Sequence, residues 1–280
     1  MQRAEGLIVD ECHSLPAASF LGVAQAAEAA YWRVGLSGTP LQRGEAKSVG
    51  LVGALGPVGY RIPATKLIEA GVLARPTIVM TECFQSIQLG PVMGRRAQAR
   101  VWQKVSKNLV TESRVRNLLV RDLALGAAKP CLVFVQLLDH GRLLEEHLRA
   151  AGAKVEFVEG KTALESRKAA IRRLEQGDID ILVATVVFNE GIDIPCLASV
   201  VIGGGGASPV QALQRVGRGM RTAVDKSTFE VWDVFDRGSL LENHAKKRQR
   251  SYEVEQYAVE VRSPQQFTGG PGSPPQPPAV

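Results

Sequence analysis

With 280 residues, 45% of them hydrophobic, the chain is large enough for two domains of ordinary size. The four cysteines are scattered without a Cys-x-x-Cys pair, which excludes a zinc ribbon or a disulfide framework, and no apolar run approaches the roughly 18 residues that span a bilayer. The net charge of +6 permits a polyanionic partner without naming one, and the absence of a signal peptide leads us to expect a cytoplasmic protein without a membrane partner.

Short β-type runs alternate with helix-like stretches along most of the chain. The runs are apolar, often β-branched, and bounded by Gly, Pro or Asp; in chain order they are GLIVDE, YWRVGLSGT, PTIVM, CLVFVQ, KVEFVEG, DILVAT, SVVIGG and FEVWDVFD. Such an alternation is typical of parallel sheets covered by helices on both faces. The clearest helix signal is TALESRKAAIRRLEQGD, where Thr162 and Glu165 have the spacing of a capping box and Gly177 marks the end.

The runs fall into two groups, so we predict an α/β fold with two sheets. The first group ends near Met80, and we assign residues 1–90 to a partial first domain. A charged helical connector follows over 91–128, and a second domain over 129–250. Residues 251–280 end in a Pro/Gly-rich stretch without periodicity, which predicts a mostly disordered tail.

The stretch LIVDECHSL places two carboxylates directly after a predicted strand. Ligands of open α/β folds bind at the carboxyl ends of parallel strands. Asp10 at this point can hold Mg²⁺ through its water shell, and Glu11 can orient a water for attack on a γ-phosphate. His13 can link such a site to another element. The alternative is a solvated Asp-Glu turn with a structural histidine.

Two further strand-to-loop transitions carry candidate site residues. GLSGTP supplies the hydroxyls of Ser37 and Thr39 in a tight polar turn, although an ordinary turn would have the same composition. In VATVVFNEGIDIP, a carboxylate can accept from a ribose hydroxyl and polar side chains can contact a phosphodiester backbone. The residues singled out there are Thr185, Asn189, Gly191 and Asp193.

The most specific pattern is QALQRVGRGMR. Arg215, Arg218 and Arg221 recur every three residues and share one face of a helix. Guanidinium groups aimed at a γ-phosphate stabilise charge in phosphoryl transfer. The alternative is a solvated basic face, which the glycines at 217 and 219 disfavour because each costs about 1 kcal/mol in an exposed helix.

Taken in order, DECH, SGTP, the strand ending in Gln, ATxxxxEGIDIP and QRxGRxxR resemble superfamily 2 DExD/H-type helicases over residues 5–250. TKLIEAGVLARP and DVFDRGSLLENHAKKRQRSYE resemble phage and bacterial DNA-repair members. The resemblance implies two RecA-like domains with ATP and Mg²⁺ between them, and DNA as partner, with RNA as the alternative. It implies that Asp10 and Glu11 serve Mg²⁺ and the attacking water, and that Ser37 and Thr39 couple the site to nucleic acid. Arg218 and Arg221 would act as arginine fingers on the γ-phosphate. The residues that would contact the nucleotide are Gly191, Asp193, Gln214 and His13.

The resemblance departs from the family at the phosphate-binding loop. The family pattern Gly-x-x-x-x-Gly-Lys-Ser/Thr lies upstream of DECH, but only nine residues precede Asp10. Gly160-Lys161-Thr162 is a decoy, because the position of the first Gly is Val155 and the intervening EFVE is bulky and strand-like. We therefore expect a C-terminal portion of a helicase whose first domain is incomplete at its N-terminus and which is inactive alone.

Other functions remain open at this point. One alternative is a non-catalytic nucleic-acid-binding module, or one half of a split helicase completed by a separate chain that carries the missing loop. Basic runs at 95–121 and 246–250 could add DNA contacts, although a solvated face is the favoured explanation for them. A Rossmann-type oxidoreductase is disfavoured, since VVIGGGGASP lacks the Gly-x-Gly-x-x-Gly placement.

Overall fold

The computed structural model describes residues 4–14, 18–38, 45–85, 101–185, 194, 196–206 and 228–264. The chain divides into two compact units, Met1–Pro63 and Ala64–Val280. Among the described residues, no helix combines the length and apolar character needed to cross a membrane.

The first unit contains a small parallel sheet packed against helices. Its elements are β1 (Gly6–Val9), α1 (Ala18–Ala26), β2 (Trp32–Gly35) and α2 (Glu45–Leu55). The guanidinium group of Arg33 donates to the carbonyl of Ala24 in α1 at 3.1 Å and to that of Ala54 in α2 at 3.4 Å. A cation suits this place because the last carbonyls of a helix are unpaired and carry partial negative charge. Arg33 thus ties both helices to the sheet.

The second unit is built on a seven-stranded sheet in which every pairing is parallel, in the order β5-β6-β4-β7-β8-β3-β9. Its strands are β3 (Arg75–Phe84), β4 (Cys131–Val135), β5 (Val155–Val158), β6 (Ile181–Thr185), β7 (Ser199–Ile202), β8 (Thr228–Arg237) and β9 (Val259–Arg262). The parallel arrangement predicted from the apolar runs is confirmed.

Helices cover both faces of this sheet, as the continuous apolar strands predict. They are α3 (Ala64–Glu69), α4 (Arg114–Gly126), α5 (Leu138–Ala150), α6 (Leu164–Gln176) and α7 (Leu240–Val254). Successive residues of a strand point to opposite faces. Accordingly, Phe134 of β4 packs on the side of α3, α6 and α7, while its neighbour Val133 packs on the side of α4 and α5.

Strand β3 lies in a different sheet from the one that the sequence suggested. We grouped PTIVM with the first domain, but β3 pairs with β8 over ten residues and belongs to the second unit. Its side chains Ile78 and Met80 are buried in the core that α7 covers. The run is apolar on both faces, so its composition fits either sheet. Only long-range pairing with residues 228–237 assigns it.

Two local predictions also need correction. Helix α6 has Ala163 at its N-cap position without a side-chain cap, so the predicted capping box of Thr162 and Glu165 does not form, although Gly177 ends the helix with φ +78° as expected. Residues 251–264 are not a disordered tail. They complete α7 and form β9, which pairs with β3, because Val259 can pack on the core. Residues 265–280 lie outside the described part.

The described part of the charged passage before α4, residues 101–111, is helical and belongs to the second unit. Residues 101–105 are α-helical and continue into a π-helical turn, Ser106–Thr111. Val105, Leu109 and Val110 form a small buried cluster with Leu241 of α7. The passage is therefore anchored by apolar contacts despite its charge.

Candidate ATPase and nucleic-acid site

The first unit places the acidic motif and the hydroxyl motif at the same edge of its sheet. Asp10 follows β1 directly, and Ser37 follows β2 by two residues. Backbone hydrogen bonds fix the two loops together: Leu36 N–H donates to Val9 O, and Cys12 N–H donates to Leu36 O, both at 2.9 Å. The two motifs are thus neighbours in space although 24 or more residues separate them in sequence.

His13 bridges the two motifs. Its Nδ1 lies 3.0 Å from Ser37 Oγ and 3.1 Å from Glu11 Oε2. The imidazole is buried, whereas the Glu11 carboxylate is exposed to solvent. One ring nitrogen therefore faces an acceptor on the acidic motif and a hydroxyl on the SGTP motif. Such a histidine can exchange one partner for the other.

The two carboxylates present their oxygens to solvent beside the end of β1. Glu11 has φ +47°, a left-handed conformation that is uncommon for a residue with a side chain and that tends to occur at functional sites. Asp10 Oδ1 accepts from the Glu11 backbone N–H at 2.9 Å. No cluster of three or more His, Cys, Asp or Glu side chains able to hold a metal directly occurs in the described ranges. A single carboxylate that acts through bound water suits Mg²⁺, which keeps most of its hydration shell.

In the second unit, one predicted site residue, Thr185, lies at the carboxyl edge of the large sheet, together with Gln136 and a run of glycines. Thr185 ends β6, is buried, and is paired in register with Val135 at the end of β4. Gln136 follows β4 at the same edge, and the glycine run Gly203–Gly206 follows β7. Seven predicted site residues lie outside the described part of the chain: Thr39, Asn189, Gly191, Asp193, Gln214, Arg218 and Arg221.

The glycine run is held through its carbonyl oxygens by side chains from two helices. Arg116 of α4 donates through Nη1 to Gly203 O. From α7, Arg248 Nη1 donates to Gly206 O at 2.6 Å, and His244 Nδ1 lies 3.4 Å from Gly205 O. Burial is the main cause that lowers the pKa of His244.

Each of the two arginines is paired with an aspartate of β8. Arg116 Nε donates to Asp236 Oδ1 at 2.9 Å, and Arg248 Nε donates to Asp233 Oδ2 at 2.8 Å. All four side chains are at most 1% exposed. Burial acts to lower the pKa of Arg248, but the charge and hydrogen bonds of Asp233 outweigh it and raise the pKa. Tyr252 Oη also donates to Asp233, at 3.0 Å. Both guanidinium groups are therefore held by buried ion pairs.

Sequence reasoning missed this arrangement. Arg116 belongs to the basic run 95–121 and Arg248 to the run 246–250, both considered as DNA contacts or solvated faces. Their burial excludes Arg116 and Arg248 from both roles. The sequence signal was the pair of aspartates in VWDVFD, an apolar strand in which a charge needs a buried partner.

Residues 114–223 match the family model "Helicase conserved C-terminal domain". This part of the second unit is therefore similar to the C-terminal domain of helicases. The match covers α4, β4–β7 and the arginine-rich motif, so the resemblance noted from QRxGRxxR is confirmed at this level.

Two relatives extend the similarity over nearly the whole chain. "Putative helicase 22" of Sulfolobus islandicus filamentous virus (isolate Iceland/Hveragerdi) is 26% identical over 90% of this chain and 46% of its own length. "DNA 3'-5' helicase XPB" of Kineococcus radiotolerans is 27% identical over 95% of this chain and 46% of its own length. The chain thus spans less than half the length of these helicases.

Solved structures support the fold. "S. cerevisiae Dbp5 bound to RNA and ADP BeF3" aligns with a TM-score of 0.59 at 15% identity, covering 91% of this chain and 59% of that one. At this identity the likeness shows the fold alone. The seven-stranded parallel sheet is RecA-like.

Proposed function

We propose that the chain forms the C-terminal part of the motor of an ATP-dependent DNA helicase or translocase with two RecA-like domains. The observation that carries the proposal is the contact of 3.0 Å between His13 Nδ1 and Ser37 Oγ. It joins the acidic motif to the hydroxyl motif in the first unit, outside the region matched by the family model. A motor needs such a link, because ATP hydrolysis at one motif must change the position of the residues that bind nucleic acid.

Asp10 and Glu11 have different roles in this proposal. Asp10 holds Mg²⁺ through water, and Glu11 orients the water that attacks the γ-phosphate. When bound, Mg²⁺ neutralises charge that develops on the phosphates. Both carboxylates are exposed at the strand end, which suits groups that must meet solvent and a ligand.

The hydrogen bond between His13 and the SGTP segment depends on the position of the Glu11 carboxylate. Glu11 Oε2 and Ser37 Oγ compete for the same ring nitrogen at 3.1 and 3.0 Å. When Glu11 turns to hold the attacking water, it releases His13, which then bonds only to Ser37. The hydroxyl motif, which includes Thr39, thereby receives a different hydrogen bond before and after hydrolysis.

The second unit supplies the arginines and nucleic-acid contacts. Arg218 and Arg221 act on the γ-phosphate as fingers. The remaining predicted residues keep the roles implied by the helicase resemblance: Gln214, Gly191 and Asp193 at the nucleotide, and Thr185 and Asn189 at the nucleic-acid backbone. DNA is the proposed substrate because a relative named as a DNA helicase aligns with 95% of the chain.

A second candidate function is one half of a divided motor, or a nucleic-acid-binding module. It is favoured by the absence of the Gly-x-x-x-x-Gly-Lys-Ser/Thr pattern from these 280 residues. The turn at Lys161 does not replace that loop. Residues 155–158 are a strand, and Arg167 already donates to the carbonyls of Gly160 at 2.6 Å and Thr162 at 2.7 Å. We expect the 280 residues alone to bind DNA and to hydrolyse ATP negligibly.

The test measures DNA binding and ATP hydrolysis in two proteins. One is the 280-residue chain, and the other is the chain fused behind a helicase N-terminal segment chosen because its sequence contains the Gly-x-x-x-x-Gly-Lys-Ser/Thr loop. Anisotropy of a labelled single strand should show binding by both that weakens with salt. Only the fusion should show ATP hydrolysis stimulated by DNA, and Glu11→Gln and Arg218→Ala should each abolish it. Hydrolysis that survives Glu11→Gln, or no DNA binding by either protein, would refute the proposal.

A further inference from the structure

The glycine run between β7 and the arginine-rich motif is gripped from both faces of the large sheet. In β8, Asp233 points to the face covered by α7 and Asp236 to the face covered by α4, because positions three apart in a strand point to opposite sides. Arg248 therefore reaches the run from one face and Arg116 from the other. Each guanidinium binds a carboxylate and a glycine carbonyl together.

We propose that Arg116, His244 and Arg248 are positioning residues for the motor: they fix the backbone of Gly203–Gly206, and so the place and direction from which the chain continues toward Arg218. This inference rests on the proposed function for its consequence in catalysis. The anchoring of the Gly203–Gly206 backbone by Arg116, His244 and Arg248, called the anchor below, does not depend on that function.

The geometry of the anchor requires arginine. Arg248 uses Nε and Nη2 on Asp233, Nη1 on Gly206 O, and Nη2 again on Val234 O at 2.8 Å. A planar guanidinium with five donors can serve these acceptors together, whereas the single ammonium of lysine is a point charge. The pairing thus fixes Gly206 relative to β8 and not merely to its own loop.

The network around Arg116 fixes the other end of the run. Asp236 Oδ1 also accepts from Gln85 Nε2 at 3.1 Å, and Gln85 Oε1 accepts from Ser113 Oγ at 2.7 Å. Ser113 caps α4, the helix that carries Arg116. The carboxylate, the helix and the glycine carbonyl are therefore held in one arrangement. Such coupled buried hydrogen bonds favour a single geometry.

Close neighbours restrict side chains at two positions of the run, Gly204 and Gly205. A Cβ at Gly204 would lie 2.8 Å from Gln136 Cγ and 3.2 Å from the Gln136 backbone nitrogen, whereas one at Gly206 would meet the end of the Gln136 side chain, which can move away. Gly205 has φ +63°, and its Cβ would lie 3.0 Å from Val110. The middle of the run is therefore closely packed against its neighbours, which an unconstrained linker would not require.

The first test measures hydrogen exchange in the 280-residue chain. We compare Arg248→Lys and Arg116→Lys with the control Arg173→Lys, an arginine that pairs with Glu156 on a half-exposed surface. Peptides that contain 203–206 should exchange at least about tenfold faster in the first two variants, since one charge-assisted bond is lost. Peptides from β4 should be unchanged, and the control should match the parent.

A second perturbation covers the case in which the arginine variants do not fold. Gly204→Ala pushes Gln136 away and loosens the run from the other side, with both arginines intact. It should also accelerate exchange of residues 203–206. If exchange in the run is unchanged, or rises only in step with global unfolding, the anchor is refuted. This conclusion does not depend on the function of the protein.

The catalytic consequence is read in the form of the chain that hydrolyses ATP. Arg248→Lys should lower kcat by about tenfold or more while the KM for ATP and the affinity for DNA stay within about twofold. If Arg248→Lys only reduced the fraction of correctly folded protein, kcat calculated per titrated active site would be unchanged. An equal loss of kcat and affinity would overturn the positioning role, whereas absent hydrolysis in the parent fusion would refute the proposed function and leave the exchange result to decide the anchor.

Discussion

Acid should destabilise the second unit through one buried histidine, His140. Its Nε2 lies 2.9 Å from Asn117 Oδ1, and Asn117 Nδ2 donates to Thr111 O at 2.8 Å, which fixes the orientation of the amide. Nε2 therefore donates, and Nδ1 is the unprotonated nitrogen. Nδ1 is buried without a hydrogen-bond partner among the described residues, so a proton there would have no acceptor.

Burial, and then the charge of Arg116, lowers the pKa of His140 to about 3. The unfolded chain binds this proton near pH 6.5, so the contribution to stability is complete above that pH and is lost as the pH falls toward 3. At about 1.4 kcal/mol per pH unit, the loss relative to pH 7 is about 2 kcal/mol at pH 5 and about 4 kcal/mol at pH 3, where the folded histidine itself begins to bind the proton.

His140→Gln isolates this effect, because the Gln amide can still donate to Asn117 but does not titrate. Urea unfolding of both proteins at pH 7, 6 and 5 gives their free energies of unfolding. The parent should lose about 2 kcal/mol relative to the variant between pH 7 and pH 5. Parallel pH dependences of the two proteins would show that His140 titrates normally and would refute the reasoning.

Three further predictions concern packing, charge and thiol access. Gly141→Ala should lower the free energy of unfolding in urea by about 1–2 kcal/mol, because its Cβ would lie 2.3 Å from the Phe157 ring. Gly53→Ala, which has open space around it, should raise the free energy of unfolding by up to about 1 kcal/mol. Equal effects of the two substitutions would contradict the packing. Asp233→Asn should cost about 3–5 kcal/mol by leaving a buried guanidinium without its counter-charge, and a loss under about 1 kcal/mol would mean that the pair is solvated. A thiol reagent should modify Cys196 rapidly and the three buried cysteines only after unfolding, and fast reaction that survives Cys196→Ser would contradict their burial.

The strands were predictable because local composition encodes them. Buried parallel strands are apolar on both faces, so runs such as CLVFVQ and DILVAT were recognisable at once. The pairing of β3 was not, since PTIVM has the same composition as a strand of either sheet. Its place depends on contacts with residues more than 140 positions away.

In the candidate site too, the sequence indicated which residues matter, and the structure showed which of them are in contact. The order of the motifs identified Asp10, Glu11 and Ser37, and the structure brings the acidic and hydroxyl motifs together through His13.

The sequence by itself determined the class of fold, the parallel strands and the helicase resemblance, since these depend on local periodicity and on ordered short motifs. Only the tertiary structure decided which charged residues are buried. Arg116 and Arg248 look like their solvent-exposed neighbours in composition. Their partners Asp236 and Asp233 lie 120 and 15 residues away along the chain. A charge is buried only where folding brings an opposite charge to it, and that depends on chain packing rather than on local sequence.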